Sequence, residues 1–325
     1  MLKLFILFVA SFITSVTFLA FIRKVSLRIN LVKEDKKVPY VGGVGVFFSW
    51  LLAFLIFIFL ERINIPFQLK IIIVFSFVLL FVELLDDLKD FSLKTKLVFQ
   101  IVFIYIFLMF SKKIQIYFLP FWVNYIISFL WIMGIMNAFN HLDVGDGVCG
   151  GVSLIVGLSF LVIFLTKNNY LEAGLVLSLL GAVLAFLLFN FPPAKMFMGN
   201  CGSHSLGFFF AALSIYGDYA TLENKIALVI PVFILFFPII DTVFLMIVRL
   251  RKGIVPLKKS DDHLFLRLIA CGYSYKKALL DVYFVSILWA IAGIMILFNL
   301  SFLFLLIFLV SIFYTIRIIV KSSPR

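Results

Sequence analysis

The chain has 325 residues, 64% of them hydrophobic, and a mean hydropathy of +1.21. This composition excludes an ordinary soluble domain, because soluble domains are only about half apolar. The formal net charge of +12 would suit nucleic acid, but no soluble domain and no basic-aromatic surface accompany it, so we expect no nucleic-acid partner.

Apolar runs long enough to cross a bilayer as a helix recur along the chain. The predicted spans, about eleven in number, are 2–22, 41–60, 67–85, 97–110, 121–139, 147–166, 170–191, 203–217, 225–248, 278–298 and 300–320. The first span follows Lys3 as a signal peptide would, but it lacks a small-x-small cleavage site, which favours a retained helix. We therefore expect an all-α, polytopic integral membrane protein in which residues 1–325 form a single domain.

The distribution of positive charge predicts the orientation of the chain. Most of the 28 Lys and Arg residues fall in loops on the side opposite the N-terminus, such as Arg23, Lys24, Arg249 and Arg251. Cytoplasmic loops are enriched in basic residues, so the N-terminus is expected outside the cell and the C-terminus in the cytoplasm. The loops that would then face the cytoplasm are about 23–40, 86–96, 140–147, 192–202 and 249–277. Because these loops hold the polar clusters, we expect one active site on the cytoplasmic face of the inner (plasma) membrane.

Three carboxylates follow the third predicted span. Asp86 and Asp87 are adjacent, and Asp87 and Asp90 share one face of a helix at i and i+3. Carboxylates this close together raise one another's pKa unless a cation is present. Two functional interpretations follow, Mg²⁺ binding or acceptance of a proton, and the structural alternative is a solvated helix end with nearby lysines as counter-charges.

A denser polar motif, Asn137 to Gly147 (NAFNHLDVGDG), closes the fifth predicted span. Asn137 and Asn140 lie at i and i+3, and Asp143 and Asp146 continue that period. The two glycines would break the helix and let the backbone approach a ligand. Amides and carboxylates at this spacing can hold a sugar hydroxyl, a phosphate-bound metal or both, whereas a helix end with solvated acids is the alternative.

Small and polar residues open the eighth span. Gly199, Asn200 and Ser203 would stand at the start of a helix, where free N–H groups and the helix dipole favour an anion such as phosphate. An ordinary N-cap is the alternative, since Asn and Ser are preferred there in any case.

The basic ninth loop contains His263 after a pair of acids. Three basic residues close to it in sequence could pair with a pyrophosphate, and a structural histidine is the alternative. These basic residues are Lys258, Lys259 and Arg267. The stretch 263–271 is predicted to form a short interfacial helix that Gly272 ends.

In this order the clusters resemble those of the polyprenyl-phosphate N-acetylhexosamine-1-phosphate transferases, glycosyltransferase family 4. The matching pieces are Pro39-x-x-Gly42-Gly43, Leu85-Asp86-Asp87-x-x-Asp90, Asn137-Ala-Phe-Asn140-x-x-Asp143-x-x-Asp146-Gly147, Phe197-Met198-Gly199-x-x-Gly202-Ser203, Pro238-x-x-Asp241, Arg249 and His263. The ninth loop is more similar to that of the undecaprenyl-phosphate GlcNAc-1-phosphate transferase branch than to that of the muramoyl-pentapeptide branch. The resemblance implies transfer of an N-acetylhexosamine-1-phosphate, here GlcNAc-1-phosphate, from a UDP-sugar to undecaprenyl phosphate with release of UMP.

The same resemblance implies roles for individual residues. The implied catalytic residues are Asp86, Asp87, Asp143 and Asp146. The implied substrate-binding residues are Asn137, Asn140, Lys96, His263, Gly199 and Ser203. The implied ligands of Mg²⁺, with Mn²⁺ as a substitute, are Asp86, Asp87, Asp146 and Asn200. The implied partners are a polyprenyl phosphate lipid, a UDP-sugar and the membrane, with a homodimer as a further expectation.

Several positions depart from the family pattern. Asn200 stands where the family has an aspartate implicated in holding Mg²⁺, and Phe265 and Leu266 stand where it has two further histidines. The first glycine of the family's Asp-Gly-x-Asp-Gly is displaced by one position, to Gly145. These changes motivate an alternative, a catalytically weakened member that binds lipid phosphate or nucleotide. An ion-coupled transporter is a further alternative, disfavoured because transporters place binding carboxylates near the bilayer midplane.

Overall fold

The structure, a computed structural model, describes residues 2–33, 37–217, 219, 225–253 and 261–322. Within these ranges the chain forms thirteen α-helices and one short β-ladder, so the protein is helical as predicted, apart from a small hairpin in the first loop. The basic residues Lys258 and Lys259, which are predicted to pair with a pyrophosphate, lie outside the described residues.

The helices follow one another with short connections. In chain order they are α1 (Leu2–Arg28), α2 (Gly42–Glu61), α3 (Phe67–Lys89), α4 (Leu93–Phe110), α5 (Phe121–Leu142), α6 (Val148–Thr166), α7 (Tyr170–Asn190), α8 (Gly199–Tyr216), α9 (Ile230–Ile234), α10 (Phe236–Arg251), α11 (Leu264–Ala270), α12 (Tyr275–Leu297) and α13 (Ser301–Lys321). A 3₁₀ segment, Lys225–Val229, leads into α9. The strands β1 (Val32–Lys33) and β2 (Val38–Pro39) pair antiparallel. The predicted short helix over 263–271 is confirmed as α11, and Gly272 follows it with a φ of 89°.

Eight of the described helices are long and apolar enough to cross a membrane, or nine if the bent pair α9 and α10 counts as one span. The eight are α1, α2, α4, α5, α6, α7, α12 and α13. α3 and α8 are not among them, and both carry buried polar or charged side chains, such as Glu83, Asp86 and His204. The structure supports a polytopic membrane protein, while the number of eleven spans and the orientation of the termini stay predictions.

The predicted span 225–248 is not one straight helix. It divides at Leu235 into α9 and α10, and the two parts are bent by 67°. Pro238 accounts for the position of the break, because it has no N–H to donate to the carbonyl of Ile234. Proline is tolerated in the first turn of a helix. Pro238 therefore occupies the first turn of a new helix, α10, which begins at Phe236.

α6 and α7 lie at the centre of the bundle, whereas α1 and α13 lie at its edge. In their most apolar stretches, 72% of residues are buried in α7 and 67% in α6, against 22% in α1 and 17% in α13. The outer helices expose large apolar side chains, among them Phe302 and Phe313. An apolar perimeter with the polar groups inside is the arrangement that a lipid environment requires.

Hydrogen bonds between helices hold α1, α2 and α7 together inside this apolar bundle. The Ser11 hydroxyl donates to the carbonyl of Ser178 at 2.6 Å, and the Trp50 indole N–H donates to the carbonyl of Leu175 at 3.0 Å. Ser15 and Ser49 join α1 to α2 through their hydroxyls at 2.7 Å. Small polar residues at helix interfaces in this way allow close approach and satisfy buried donors.

Two glycines bring α2 against the start of α8. A Cβ on Gly43 would overlap the backbone of Gly202, so neither position has room for a side chain. The N–H groups of Gly42 and Gly43 donate to the carbonyls of Phe197 and Met198 at 2.9 and 2.8 Å. This contact fixes the N-terminal turn of α8 beside the first residues of α2.

Candidate active site

The polar clusters predicted from the sequence meet at one end of the bundle, around the N-terminal turn of α8. α2 contacts this turn through its glycines, α3 contributes Asp86 and Asp87, and α5 contributes Asn140. The His263 loop lies beside the same end of α5, where the rings of His141 and His263 have centroids 5.7 Å apart. The expectation of a single site formed by distant loops is therefore consistent with the fold.

Asp87 caps the N-terminus of α8. Its two carboxylate oxygens accept the backbone N–H groups of Asn200 at 3.2 Å and Cys201 at 3.0 Å. A helix N-terminus carries a partial positive charge that stabilises an anion. The predicted phosphate cradle therefore already holds an anion of the protein itself, because these two N–H groups face Asp87.

Asp87 lies beyond the predicted span 67–85. Burial raises the pKa of its carboxyl to about 6, while the N–H donors of Cys201 and Asn200 oppose that rise and the charge of Glu83 adds to it. The second pKa of a phosphate monoester is also about 6. Asp87 is thus well matched to exchange a proton with a bound phosphate near neutral pH.

Asp86 is held by three donors. Its carboxylate accepts the ammonium of Lys96 at 2.8 Å, the N–H of Phe91 at 2.9 Å and the side-chain amide of Asn200 at 3.3 Å. Asp86 is 4% exposed, so these donors compensate a buried charge. Asp90, the third acid of the motif, is exposed and lies 3.9 Å from Lys96.

Asn200 therefore acts as a donor in this structure. The amide group that contacts Asp86 would be absent from an aspartate at the same position, and a third carboxylate would then face Asp86 and Asp87. The departure from the family pattern lowers the negative charge of the cluster by one. It also supplies a hydrogen bond that needs no cation.

Gly199 and Ser203 lie beneath the surface of the site. Gly199 has a φ of 78°, and a Cβ there would overlap the carbonyl oxygen of Tyr40, so only glycine fits. The fully buried Ser203 hydroxyl is 3.0 Å from the side-chain oxygen of Asn140, to which it donates, and 3.0 Å from the carbonyl of Gly199. Both residues position their neighbours in this structure, and their predicted contact with substrate stays a prediction.

Asn137 is likewise occupied within the protein. Its amide donates to the side-chain oxygen of Gln100 at 3.1 Å and to the carbonyl of Met133 at 2.8 Å. The side-chain oxygen of Asn140 accepts the hydroxyl of Ser203. Ser203 thus connects Asn140 to Gly199. Lys96 reaches the same end of α8 through Asp86 and Asn200, whereas Asn137 is bonded separately to Gln100 of α4.

The loop with Asp143 and Asp146 is fixed by residues that the sequence did not single out. Tyr275 and Tyr283 of α12 donate to the carbonyls of Asp146 and Gly147 at 3.1 and 2.6 Å. Asn190 accepts the N–H of Gly147 at 2.9 Å. A lone tyrosine in an apolar helix gives no local signal, so these anchors could not be found by pattern.

Asp146 itself reaches towards the connection between α7 and α8. One of its carboxylate oxygens accepts the N–H of Ala194 at 2.9 Å. Among the described residues, no three His, Cys, Asp or Glu side chains are grouped closely enough to hold a metal ion. In this structure Asp146 therefore does not complete a trio with Asp86 and Asp87.

His263 is anchored by Asp241. The two carboxylate oxygens of Asp241 face Nδ1 of His263 at 3.1 Å and the N–H of Leu264 at 2.8 Å. His263 and Asp241 are 4% and 2% exposed. Asp241 therefore fixes both the ring of His263 and the first turn of α11.

Arg267, predicted to pair with pyrophosphate, is engaged elsewhere. It donates to Asp262 at 3.1 Å and to the carbonyl of Ser322 at 2.9 Å. Asp262 also binds Lys252 at 2.6 Å. These contacts tie α11 to α10 and to the end of α13, which gives Arg267 a structural task in the described state.

The donor groups suit a magnesium ion. Asp86, Asp87 and Asn200 lie against one another and offer hard oxygen atoms. Mg²⁺ is usually held by one or two carboxylates together with substrate phosphates and water. The residues present therefore fit an Mg²⁺ ion whose remaining coordination positions are filled by a phosphate ligand and water.

Comparison with known proteins identifies the family. The model described as Glycosyl transferase family 4 matches residues 69–218. A protein named as a probable undecaprenyl-phosphate N-acetylglucosaminyl 1-phosphate transferase of Bacillus subtilis is 30% identical over 90% of this chain and 85% of its own. The undecaprenyl-phosphate alpha-N-acetylglucosaminyl 1-phosphate transferase of Thermotoga maritima is 32% identical over 86% of this chain and 84% of its own.

A relative from the other branch is similar over a comparable length. The phospho-N-acetylmuramoyl-pentapeptide-transferase of Bacillus cytotoxicus is 28% identical over 88% of this chain and 94% of its own. Identity at this level across nearly the whole chain agrees with the meeting of the predicted motifs at one end of the bundle. The chain belongs to glycosyl transferase family 4.

Proposed function

We propose that this protein transfers GlcNAc-1-phosphate from UDP-GlcNAc to undecaprenyl phosphate, releases UMP and so starts a lipid-linked glycan. The observation that carries the proposal is the Asp86–Asp87 pair, held between Lys96 and the N-terminal turn of α8 at the polar end of an apolar bundle. Relatives named as transferases of this kind support it over the transporter alternative.

The arrangement suits the joining of two anions. An oxygen of the acceptor phosphate attacks the sugar-bearing phosphorus of the donor, and the bond from that phosphorus to UMP breaks. Lys96, already beside Asp86, places a positive charge where the acceptor phosphate would bind. Asp87 takes up the acceptor's remaining proton, and Asn140, Asp143 and Asp146 position the donor.

Mg²⁺ would be held by Asp86, Asp87 and Asn200, and it supplies charge neutralisation for the transferred phosphoryl group when bound. His263, oriented by Asp241, is assigned to the donor phosphates.

A donor in the cytosol requires the site to face the cytoplasm. The proposal therefore includes the orientation that gives this result, with eleven spans, an outer N-terminus, a cytoplasmic C-terminus and a location in the inner (plasma) membrane. A homodimer is part of the same proposal and is tested by the mass of the purified detergent complex.

UMP release tests the proposed reaction. The purified protein in detergent is given undecaprenyl phosphate, UDP-GlcNAc and Mg²⁺, and UMP is measured for the native chain, Asp87→Asn and Glu61→Gln. Glu61 pairs with Lys3 at the other end of α2 and is a matched control for loss of one carboxylate. Release that depends on lipid, Mg²⁺ and Asp87 but not on Glu61 supports the transferase, and no release with this donor contradicts it.

A catalytically weakened protein is the second candidate, favoured by one observation. The amide of Asn200 donates to Asp86, where the family's aspartate is a metal ligand. If this candidate is correct, the native chain releases no UMP and Asn200→Asp gains turnover. Turnover by the native chain eliminates it.

A further inference from the structure

A buried pair of titratable residues lies one turn below the site and has no part in the reaction proposed above. Glu83 of α3 and His204 of α8 are 3% and 4% exposed. Oε2 of Glu83 and Nδ1 of His204 are 3.0 Å apart, which is an ion-pair distance, and among the described residues neither atom makes a hydrogen bond. Within the described residues, each of these two buried atoms therefore depends on the other for compensation of its polarity.

The pair joins the same two helices as the Asp87 cap. Glu83 precedes Asp87 by four residues on α3, and His204 follows Asn200 by four residues on α8. Residues four apart lie on one face of a helix, one turn above the other. The α3–α8 interface is thus fixed at two consecutive levels, by Asp87 at the start of α8 and by Glu83 and His204 one turn deeper.

Side chains from two further helices continue the pair. Nε2 of Gln100 in α4 lies 3.5 Å from Nε2 of His204, and the other end of the Gln100 amide accepts Asn137 of α5 at 3.1 Å. One buried polar chain therefore connects α3, α8, α4 and α5 directly beneath the site. Two contacts one turn apart restrict both the rotation and the sliding of α3 along α8, which a single cap cannot do.

We propose that Glu83 and His204 are positioning residues that set the height and rotation of α3 against α8, and thereby hold Asp86 and Asp87 where the acceptor phosphate binds. The proposal rests on the proposed function for the identity of the acceptor. It does not require either residue to touch a substrate. Its effect should appear in acceptor use and in the Asp87 cap, and the donor should bind as before.

Near-isosteric variants test the pair. Glu83→Gln and His204→Gln each remove one member, and the double variant leaves no unmatched charge if a single variant fails to fold. Ser214→Ala is the matched control, because the Ser214 hydroxyl accepts the Trp131 indole at 2.8 Å and joins α8 to α5 near the far end of α8. Each variant is assayed for kcat and KM with both substrates and for its melting temperature.

The expected result is a fall of about tenfold or more in kcat/KM for undecaprenyl phosphate in each single variant. The KM for UDP-GlcNAc stays within about twofold of the native value, and the double variant is no worse than the more impaired single variant, since all three break one contact. A lower melting temperature with both KM values and kcat unchanged would mean a purely structural pair and would overturn the proposal.

Amide hydrogen exchange gives a readout that needs no turnover. The N–H groups of Asn200 and Cys201 donate to Asp87, so a shift of α3 against α8 should make the peptide over 199–204 exchange faster in the single variants. In Ser214→Ala this peptide should exchange as in the native protein. A native chain that releases no UMP defeats the proposed function alone, whereas unchanged exchange in both single variants defeats the positioning proposal.

Discussion

Phe265 fills the space that a side chain on Gly145 would need. A Cβ on Gly145 would overlap Cε1 of Phe265 and lie 2.9 Å from its Cδ1. The Phe265 ring is 2% exposed and stands edge-on to Tyr275, with ring centroids 5.0 Å apart. Gly145 is the displaced glycine of the Asp143–Gly147 loop, and Phe265 replaces a histidine of the family pattern. These two departures touch each other and form one structural change.

Gly145→Ala should therefore lower the stability and activity of the protein, and shortening Phe265 should reduce this loss. We expect Gly145→Ala to lower the stability by about 1–3 kcal/mol through overpacking and to reduce UMP release. Combining it with Phe265→Ala should cost less than the sum of the two single effects, because the new methyl group partly fills the cavity. Melting temperature and UMP release are measured for all three variants.

Gly134→Ala is the control for that series. Gly134 lies in α5, and apart from its chain neighbours and the nearby backbone of α5 no described atom lies within 4 Å of a Cβ at that position. Alanine is favoured over glycine in a helix, so stability should be unchanged or slightly higher. Strict additivity of Gly145→Ala and Phe265→Ala would show that the two positions are not coupled.

Asn200→Asp should make the site depend on a divalent cation. The change removes the amide donor to Asp86 and places a third carboxylate beside Asp86 and Asp87. Without Mg²⁺, we expect the variant to be less stable than the native chain by about 1–3 kcal/mol, because a hydrogen bond is lost and like charges repel. Added Mg²⁺ should restore its melting temperature and leave that of the native chain less affected. Equal Mg²⁺ responses of the two proteins would contradict this account.

The elevated pKa of Asp87 predicts a pH dependence of stability. The folded protein holds this proton with a pKa of about 6, above the ordinary 3.8, so its stability relative to the unfolded chain decreases as pH rises from about 4 to 6 and then levels off. The expected loss is about 1–3 kcal/mol. Melting temperatures of the native protein and Asp87→Asn, measured with a chelator, should differ by an amount that changes over this pH range. A difference that is constant from pH 4 to 7 would argue against a raised pKa.

The sequence was informative where the signal is local. Apolar length predicted the long helices, and the composition of 263–271 predicted α11. The change of chain direction at Leu235 was not predicted, although Pro231 and Pro238 were signals for it. The polar motifs indicated which loops would meet, because acids near lipid are costly without a function.

Contacts between distant residues could not be predicted in this way. The capping of α8 by Asp87 depends on the packing of α3 against α8, which no single segment encodes. The Glu83–His204 pair has the same origin. The hydrogen bond from Ser203 to Asn140 could not be predicted, because serine near the start of a helix is common as a capping residue.

The loop that contains Asp143 and Asp146 should lose its geometry when its tyrosine anchors are removed. Tyr283 donates to the carbonyl of Gly147 at 2.6 Å, and Gly147 has a φ of 81° at the start of α6. Tyr283→Phe removes about 1 kcal/mol of hydrogen bonding and leaves a partly buried carbonyl without this donor. Since the proposed function assigns Asp143 and Asp146 to the donor, we expect a several-fold higher KM for UDP-GlcNAc and little change in the KM for undecaprenyl phosphate. Tyr117→Phe, at a fully exposed tyrosine, is the control, and an equal change in both KM values would place the effect of Tyr283 outside the donor loop.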